Sequence, residues 1–312
     1  MLAPRRENPL ILVRLLLILA SALSPSFAQT TVGTGSIVGT VSDPSGAVIG
    51  GASVKITNLS TGQLISLTTN SSGSFASSAL APGDYKTTVS AKGFSSAETV
   101  VTVQVGNTAR VNVALRIGNE KEMVEVQDSA AQVNTEQPTV QGVLTEEQIE
   151  NLPVNGRNFL DLAQLEPGVQ IQDGGNFSKD GFSSISFGGR FGRTARVEAD
   201  GIDVSDEIFG STTQNVAASA IQEFQLSQSS MDLSTELTTS GAINVTTRSG
   251  TNDIHGEVFA FFRDSSLAAA LPAPPGLLES FQRSQYGGSL GGPIIKNKIF
   301  YFLDGERTQQ HL

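Results

Sequence analysis

Two histidines, His255 and His311, and no cysteine limit the chemistry this sequence can carry. Nucleophilic catalysis needs a base within hydrogen-bond reach of the nucleophile, and zinc needs three or four N, S or O ligands. Two remote histidines supply neither set. Without thiols there is also no disulfide framework and no thiolate metal site. Asp200, Asp203 and Asp206, in DGIDVSD, offer three carboxylates that suggest calcium. Calcium loops of the EF-hand type place ligands at alternate positions with a glutamate further on, and a spacing of three does not match. Asp-Gly is also a common turn pair. The glycines of FGGRFG, residues 187–192, lack the strand-then-helix context of a phosphate loop. They read as tight turns or close backbone approach. The expectation is a protein with no catalytic residue, no metal ligand and no cofactor, and so not an enzyme.

The elements around these residues are those of a β-rich chain. The 312 residues allow two or three domains, only 16% are charged, there are 32 glycines and Trp is absent. At the N-terminus, Arg5, Arg6 and Arg14 accompany an apolar run at 15–23, and Ser26-Phe27-Ala28 puts small residues where a signal peptidase reads. The run is too short for the about 20 residues of a spanning helix. Residues 1–28 are therefore expected to be a cleaved secretory signal. The chain has 20 basic and 30 acidic residues; removing Arg5, Arg6, Arg14 and Glu7 leaves 17 and 29, a net charge of −12. An acidic exported protein is not expected to bind nucleic acid.

From 35 to 117, short alternating segments are separated by turns. Asp43-Pro44-Ser45-Gly46 matches a type I turn. Ala52, Val54 and Ile56 alternate with polar residues, as do Tyr85, Thr87, Val89 and Ala91. Val101, Val103 and Val105 lead to a reversal at Gly106-Asn107, and Val111, Val113 and Leu115 close the set. About seven such strands in roughly 80 residues predict a β-sandwich. The stretches GTVSDPSGAVIGGASVKITN and TTNSSGSFASSALAPGDYKTTVSAKGF resemble the carboxypeptidase-regulatory-like family, a prealbumin-like or Ig-like sandwich. That resemblance implies an accessory module, either a binding domain or a spacer, and not a peptidase.

The texture then changes. Thr145 followed by Gln148 forms a capping-box pattern opening a short helix that ends before Pro153. A second helix is expected from 158 to 166, with Phe159, Leu162 and Ala163 on one face and Pro167-Gly168 as its stop. Gly-rich loops and strands follow, an α+β pattern. VLTEEQIENLPVNGRNFLDLAQLEPGV, SFGGRFGRTARVEADGIDV and the stretch from IQEFQLSQ to FAFFRD resemble, in order, the plug of TonB-dependent outer-membrane receptors, particularly of the Oar-like group. Glu198-Ala199 before the Asp-Gly, and the run Leu237-Thr238-Thr239-Ser240, depart from that pattern. The resemblance implies a TonB-docking segment near NEKEMVEVQ, with Glu122, Met123, Val124, Glu125, Val126 and Gln127 as candidates. Docking by strand addition uses backbone hydrogen bonds and specifies side chains loosely. The same stretch could instead be the first strand of the next domain.

GEVFAFFRD, SQYGGSLGG and KIFYFLDGE are three further strand segments of a length that suits transmembrane β-strands, about 9–11 residues. In the third, Ile299, Tyr301 and Leu303 share one face and Phe300 and Phe302 the other. A plugged transporter barrel has about 22 strands, and three cannot close one. The expectation is a portion of a longer receptor that does not transport alone.

The expected fold is mainly β with α+β: a signal at 1–28, a sandwich at 35–117, a plug at 118–253 and the first strands of a barrel at 254–312. By resemblance, the whole receptor would sit in the outer membrane with plug and sandwich facing the periplasm. Its partners would be TonB and a transported solute, a carbohydrate or a siderophore. The rival expectation is a secreted or surface-attached sandwich that serves in binding or adhesion.

Overall fold

A computed structural model describes residues 33–118, 123–125, 140–152, 157–172, 184–189, 195–206, 211–228, 240–267 and 282–311. The expected signal at 1–28 lies outside them. Strands dominate, and the helical elements are short.

The first region is a two-sheet sandwich. Its strands are β1 (Ser36–Ser42), β2 (Ser53–Asn58), β3 (Leu64–Thr68), β4 (Ser74–Ala76), β5 (Gly83–Ser90), β6 (Ser96–Val103), β7 (Thr108–Ala114) and β8 (Met123–Glu125). One sheet has the order β4-β1-β7 and the other β3-β2-β5-β6-β8. The alternation seen in the sequence becomes the core. Val54, Ile56, Tyr85, Val89, Val103, Val111 and Leu115 all point between the sheets and are buried. Each such aliphatic side chain contributes about 1.5–3 kcal/mol of burial. Two turns are built alike. The Oδ1 of Asp43 accepts from the backbone N–H of Ser45 and Ala47. The Oδ1 of Asn70 accepts from those of Ser72 and Ser74. A positive-φ glycine, Gly46 or Gly73, completes each.

The second region begins at β9 (Val140–Thr145) and α1 (Glu146–Asn151). The capping box forms, with the backbone N–H of Thr145 donating to Gln148 Oε1 at 3.0 Å. Phe159–Leu165 is a 3₁₀ turn rather than the expected α-helix, capped by Asn158 Oδ1, which accepts from the Leu160 N–H. It is 7 residues long, and Pro167-Gly168 stops it. The later strands are β10 (Val169–Gln172), β11 (Ser184–Phe187), β12 (Ala195–Ala199), β13 (Ile202–Asp203), β14 (Ser205–Asp206), β15 (Ser211–Thr212), β16 (Ile221–Gln228) and β17 (Gly241–Thr247). Five form a mixed sheet of order β13-β12-β17-β16-β9, in which β12 and β17 are parallel. Phe224, Leu226, Ile243 and Val245 on one face of this sheet pack with Ile149, Phe159, Leu160 and Leu162 into a second core.

The third region is an antiparallel meander of β18 (His255–Asp264), β19 (Gln282–Ile295) and β20 (Ile299–His311). The last two strands extend beyond the apolar segments that announce them in the sequence. Asn297, at φ 62, turns the hairpin between β19 and β20. It is held by mutual hydrogen bonds with Asn252, both 2.8 Å.

Candidate functional site

The three regions meet at two joints and one edge. The first joint holds the sandwich to the mixed sheet. Three polar residues of β16, Gln222, Glu223 and Gln225, grip sandwich backbone rather than side chains. Gln222 Nε2 donates to the Pro82 carbonyl at 3.0 Å. Glu223 Oε2 accepts from the Val105 N–H at 2.7 Å, and Gln225 Nε2 donates to the Val105 carbonyl at 3.3 Å. Val105 is thus bound through both of its backbone groups, as a neighbouring strand would bind it. Glu223 is buried at 6% exposure. Burial pushes its carboxyl up to about 7, opposed by the Val105 N–H, which favours the charged form. The turn after β2 makes a further contact between the sandwich and the third region, where Asn252 N–H donates to the Ser60 carbonyl at 2.9 Å.

The second joint holds the mixed-sheet region to the meander. Alternation gives the meander two different faces. Phe259, Phe261, Gln285, Phe302, Asp304 and Glu306 lie on the inner one. Ser219 Oγ donates to Asp304 Oδ2 at 2.7 Å. The Arg157 guanidinium lies 4.2 Å from the Phe259 ring centroid and 5.1 Å from that of Phe261, with Glu306 Oε2 3.6 Å from its Nε. Glycines in β19 make room for these rings. A Cβ at Gly287 would stand 2.8 Å from the Phe259 ring, and one at Gly291 would stand 2.6 Å from His255 Nε2. The opposite face is apolar and open. Val258 is 91% exposed, Phe262 75% and Leu303 67%, with Tyr286 and Leu290 beside them. The alternation expected in the third strand is present: Tyr301 and Leu303 face outward, Phe302 inward.

The edge is where Met123, Val124 and Glu125 lie. They form β8, a parallel addition to β6 with Ser96 opposite Met123 and Glu98 opposite Glu125. The other reading of this stretch, as first strand of the following domain, is corrected: it extends the sandwich sheet. An exposed β6 edge with free backbone groups explains the capture. Glu122, Val126 and Gln127 lie outside the described residues.

The aspartates of DGIDVSD have structural partners. Asp200 adopts φ 49 at the Asp-Gly turn and accepts from the Thr247 N–H at 2.9 Å and the Thr247 hydroxyl at 2.7 Å. Asp203 pairs with Arg196 at 3.1 Å. Among the described residues no group of three or more His, Asp or Glu could hold a metal ion. Gly188 and Gly189 both have positive φ, in keeping with the turn expected there. Sequence reasoning missed Glu223 and Arg157. The signal for Glu223 was a lone carboxylate in the strand-like stretch IQEFQL, and for Arg157 its place after an Asn-Gly pair.

Residues 36–116 match the carboxypeptidase regulatory-like domain, and residues 246–312 match the outer membrane beta barrel domain. The TonB-dependent transporter Oar of Myxococcus xanthus is 26% identical over 300 residues, covering 89% of this chain. The chain spans 27% of that protein's length. Among solved structures, a ferric enterobactin receptor (PfeA) variant from Pseudomonas aeruginosa is 18% identical. It matches 54% of this chain and 24% of its own, at a TM-score of 0.39. The alcaligin outer-membrane receptor FauA of Bordetella pertussis is 18% identical, matching 56% and 27% at a TM-score of 0.39. Two domain matches in the expected order, and a transporter relative aligned along 89% of the sequence, make the chain similar to TonB-dependent outer-membrane transporters.

Proposed function

We propose that this chain is the front portion of a receptor that admits a scarce solute through the outer membrane, using energy delivered by TonB. The observation that carries this reading is the two-faced meander. Its outer face offers apolar side chains of the kind that meet lipid, while its inner face packs polar and aromatic groups against the mixed-sheet region. In this reading residues 1–28 are a cleaved signal, 35–117 an accessory sandwich, 118–253 a plug, and 254–312 the opening strands of a barrel. Sandwich and plug face the periplasm, and the plug moves when TonB pulls. The solute is a carbohydrate or a siderophore. No covalent chemistry is involved.

The docking segment is 122–127. Its backbone geometry supports the role, because Met123–Glu125 is already extended and joins a sheet edge by main-chain pairing alone. Deleting 122–127 from the full-length receptor is expected to abolish co-purification with TonB while leaving outer-membrane fractionation intact. Unchanged co-purification rejects the docking role. Recovery of the full-length protein in the secreted soluble fraction, with none in the outer membrane, would instead favour an adhesion or binding module.

A further inference from the structure

Three turns cluster at one end of the sandwich: 58–62 after β2, Pro82-Gly83 before β5, and 105–107 after β6. Strand pairing brings them together. Asn58 stands opposite Tyr85 and Gly83 opposite Val103, and the Leu59 N–H donates to the Asp84 carbonyl at 2.9 Å. The first turn is stiff. Asn58 Oδ1 accepts from the N–H of Ser60 at 2.9 Å and of Thr61 at 2.8 Å, and the Gly62 N–H donates to the Asn58 carbonyl at 2.9 Å.

This end makes two grips. At the first, the backbone of Pro82 and Val105 meets Gln222, Glu223 and Gln225 of β16. The register of β16 against β17 shifts between Ile221 and Glu223. Successive side chains of a regular strand point to opposite faces, and a bulge re-aims one of them. The shift therefore lets two neighbours, Gln222 and Glu223, both reach the sandwich. At the second grip, the Ser60 carbonyl accepts from the N–H of Asn252, which lies in the connector between β17 and β18. Asn252 in turn clasps Asn297 at the tip of the β19–β20 hairpin. Gly62 lies against that tip, where a Cβ would stand 3.1 Å from Asn297 Cγ. One stiff end of the sandwich thus spans from the mixed sheet to the meander.

We propose that the turn end of the sandwich is a strap across the β17–β18 connector, holding the mixed sheet and the meander in one arrangement, so that release of either grip loosens the other. On the receptor reading above, on which this step rests, the strap opens before the mixed sheet can move.

Contacts that share no partner act independently, so coupling between the two grips is what distinguishes a strap from two unrelated contacts. The test is hydrogen exchange, read by mass spectrometry on the purified full chain in detergent micelles. Q222A/Q225A removes side chains from the first grip. It is expected to speed exchange in the connector, residues 248–254, by about tenfold, the size of one hydrogen bond. Strands β2 and β5 keep their protection, which separates release from unfolding. The chain has no cysteine, so G62C/N297C adds a single pair whose spacing suits a disulfide. Combined with Q222A/Q225A, the oxidised pair is expected to return connector exchange to the parent rate, and reduction to restore the fast rate. Circular dichroism checks each fold, and if the double alanine variant does not fold, Q222A alone carries the comparison. The proposal is overturned if connector exchange is unchanged in the folded alanine variant, if β2 and β5 speed up equally, if the pair does not close in the folded chain, or if the closed pair leaves the fast rate as it was. Co-purification of the full-length receptor with TonB is scored separately. TonB binding without coupling between the grips removes the strap and keeps the receptor; coupling without TonB binding keeps the strap and removes the docking role.

Discussion

Glu223 sits at the joint between sandwich and mixed sheet, and its proton couples that joint to pH. Opposite it on the flanking strands stand Thr145 and Thr246, and the sandwich presents the Val105 N–H. Among the described residues it makes no ion pair. Its value in the fold, about 7, lies above the ordinary 4.5. A raised carboxyl contributes fully below about pH 4.5, where it is protonated in both states. The contribution fades as pH rises to about 7 and is gone above that. Glu223→Gln is neutral at every pH and keeps an oxygen for the Val105 N–H. The variant should therefore show a flatter stability profile between pH 5 and pH 8. At pH 8 it should be the more stable protein, by at most about 3 kcal/mol. Chemical denaturation at the two pH values measures this, and identical profiles for both proteins would refute the assignment.

At the scale of elements, strands are decided by what lies on each side of them. Gly39 in β1 shows how little room the sandwich leaves. A Cβ there would sit 2.7 Å from the Phe75 ring and closer still to the Val111 carbonyl, which is backbone and cannot step aside. Gly39→Ala is expected to cost about 1–3 kcal/mol through overpacking, or to prevent the sandwich from closing. A thermal unfolding midpoint equal to that of the parent would contradict the geometry. The β19 glycines act differently. They lower the inner surface so that the Phe259 and Phe302 rings can lie across it.

For the whole molecule, the important fact is two separate cores, one within the sandwich and one under the mixed sheet. Among the described residues, hydrogen bonds from β16 side chains to sandwich backbone run between them. Phe224, fully buried in the second core, should cost about 3–5 kcal/mol when changed to Ala. Hydrogen exchange should then speed up across β9, β16 and β17, while β2 and β5 in the sandwich keep their protection. Equal loss in both regions would mean that the two unfold as one unit.

Much of this was open to a sequence reader. Period-two alternation marks the strands of the sandwich because half-burial on a pleated sheet demands it, and the Asp43 turn follows from local side-chain bonds. The Thr145–Gln148 box marks the start of α1 for the same local reason. The opposing faces of Tyr301 and Phe302 also follow from alternation, but which of them meets the interior does not. Long-range placement was not legible. That Met123–Glu125 would pair with β6, and that Glu223 would reach Val105 at a sequence distance of 118 residues, depend on which surfaces dock. Sequence determined the strands and turns of this protein because those are set by neighbours along the chain. Only the tertiary structure decided its joints and its buried carboxyl, because burial and charge proximity arise when distant segments exclude water together.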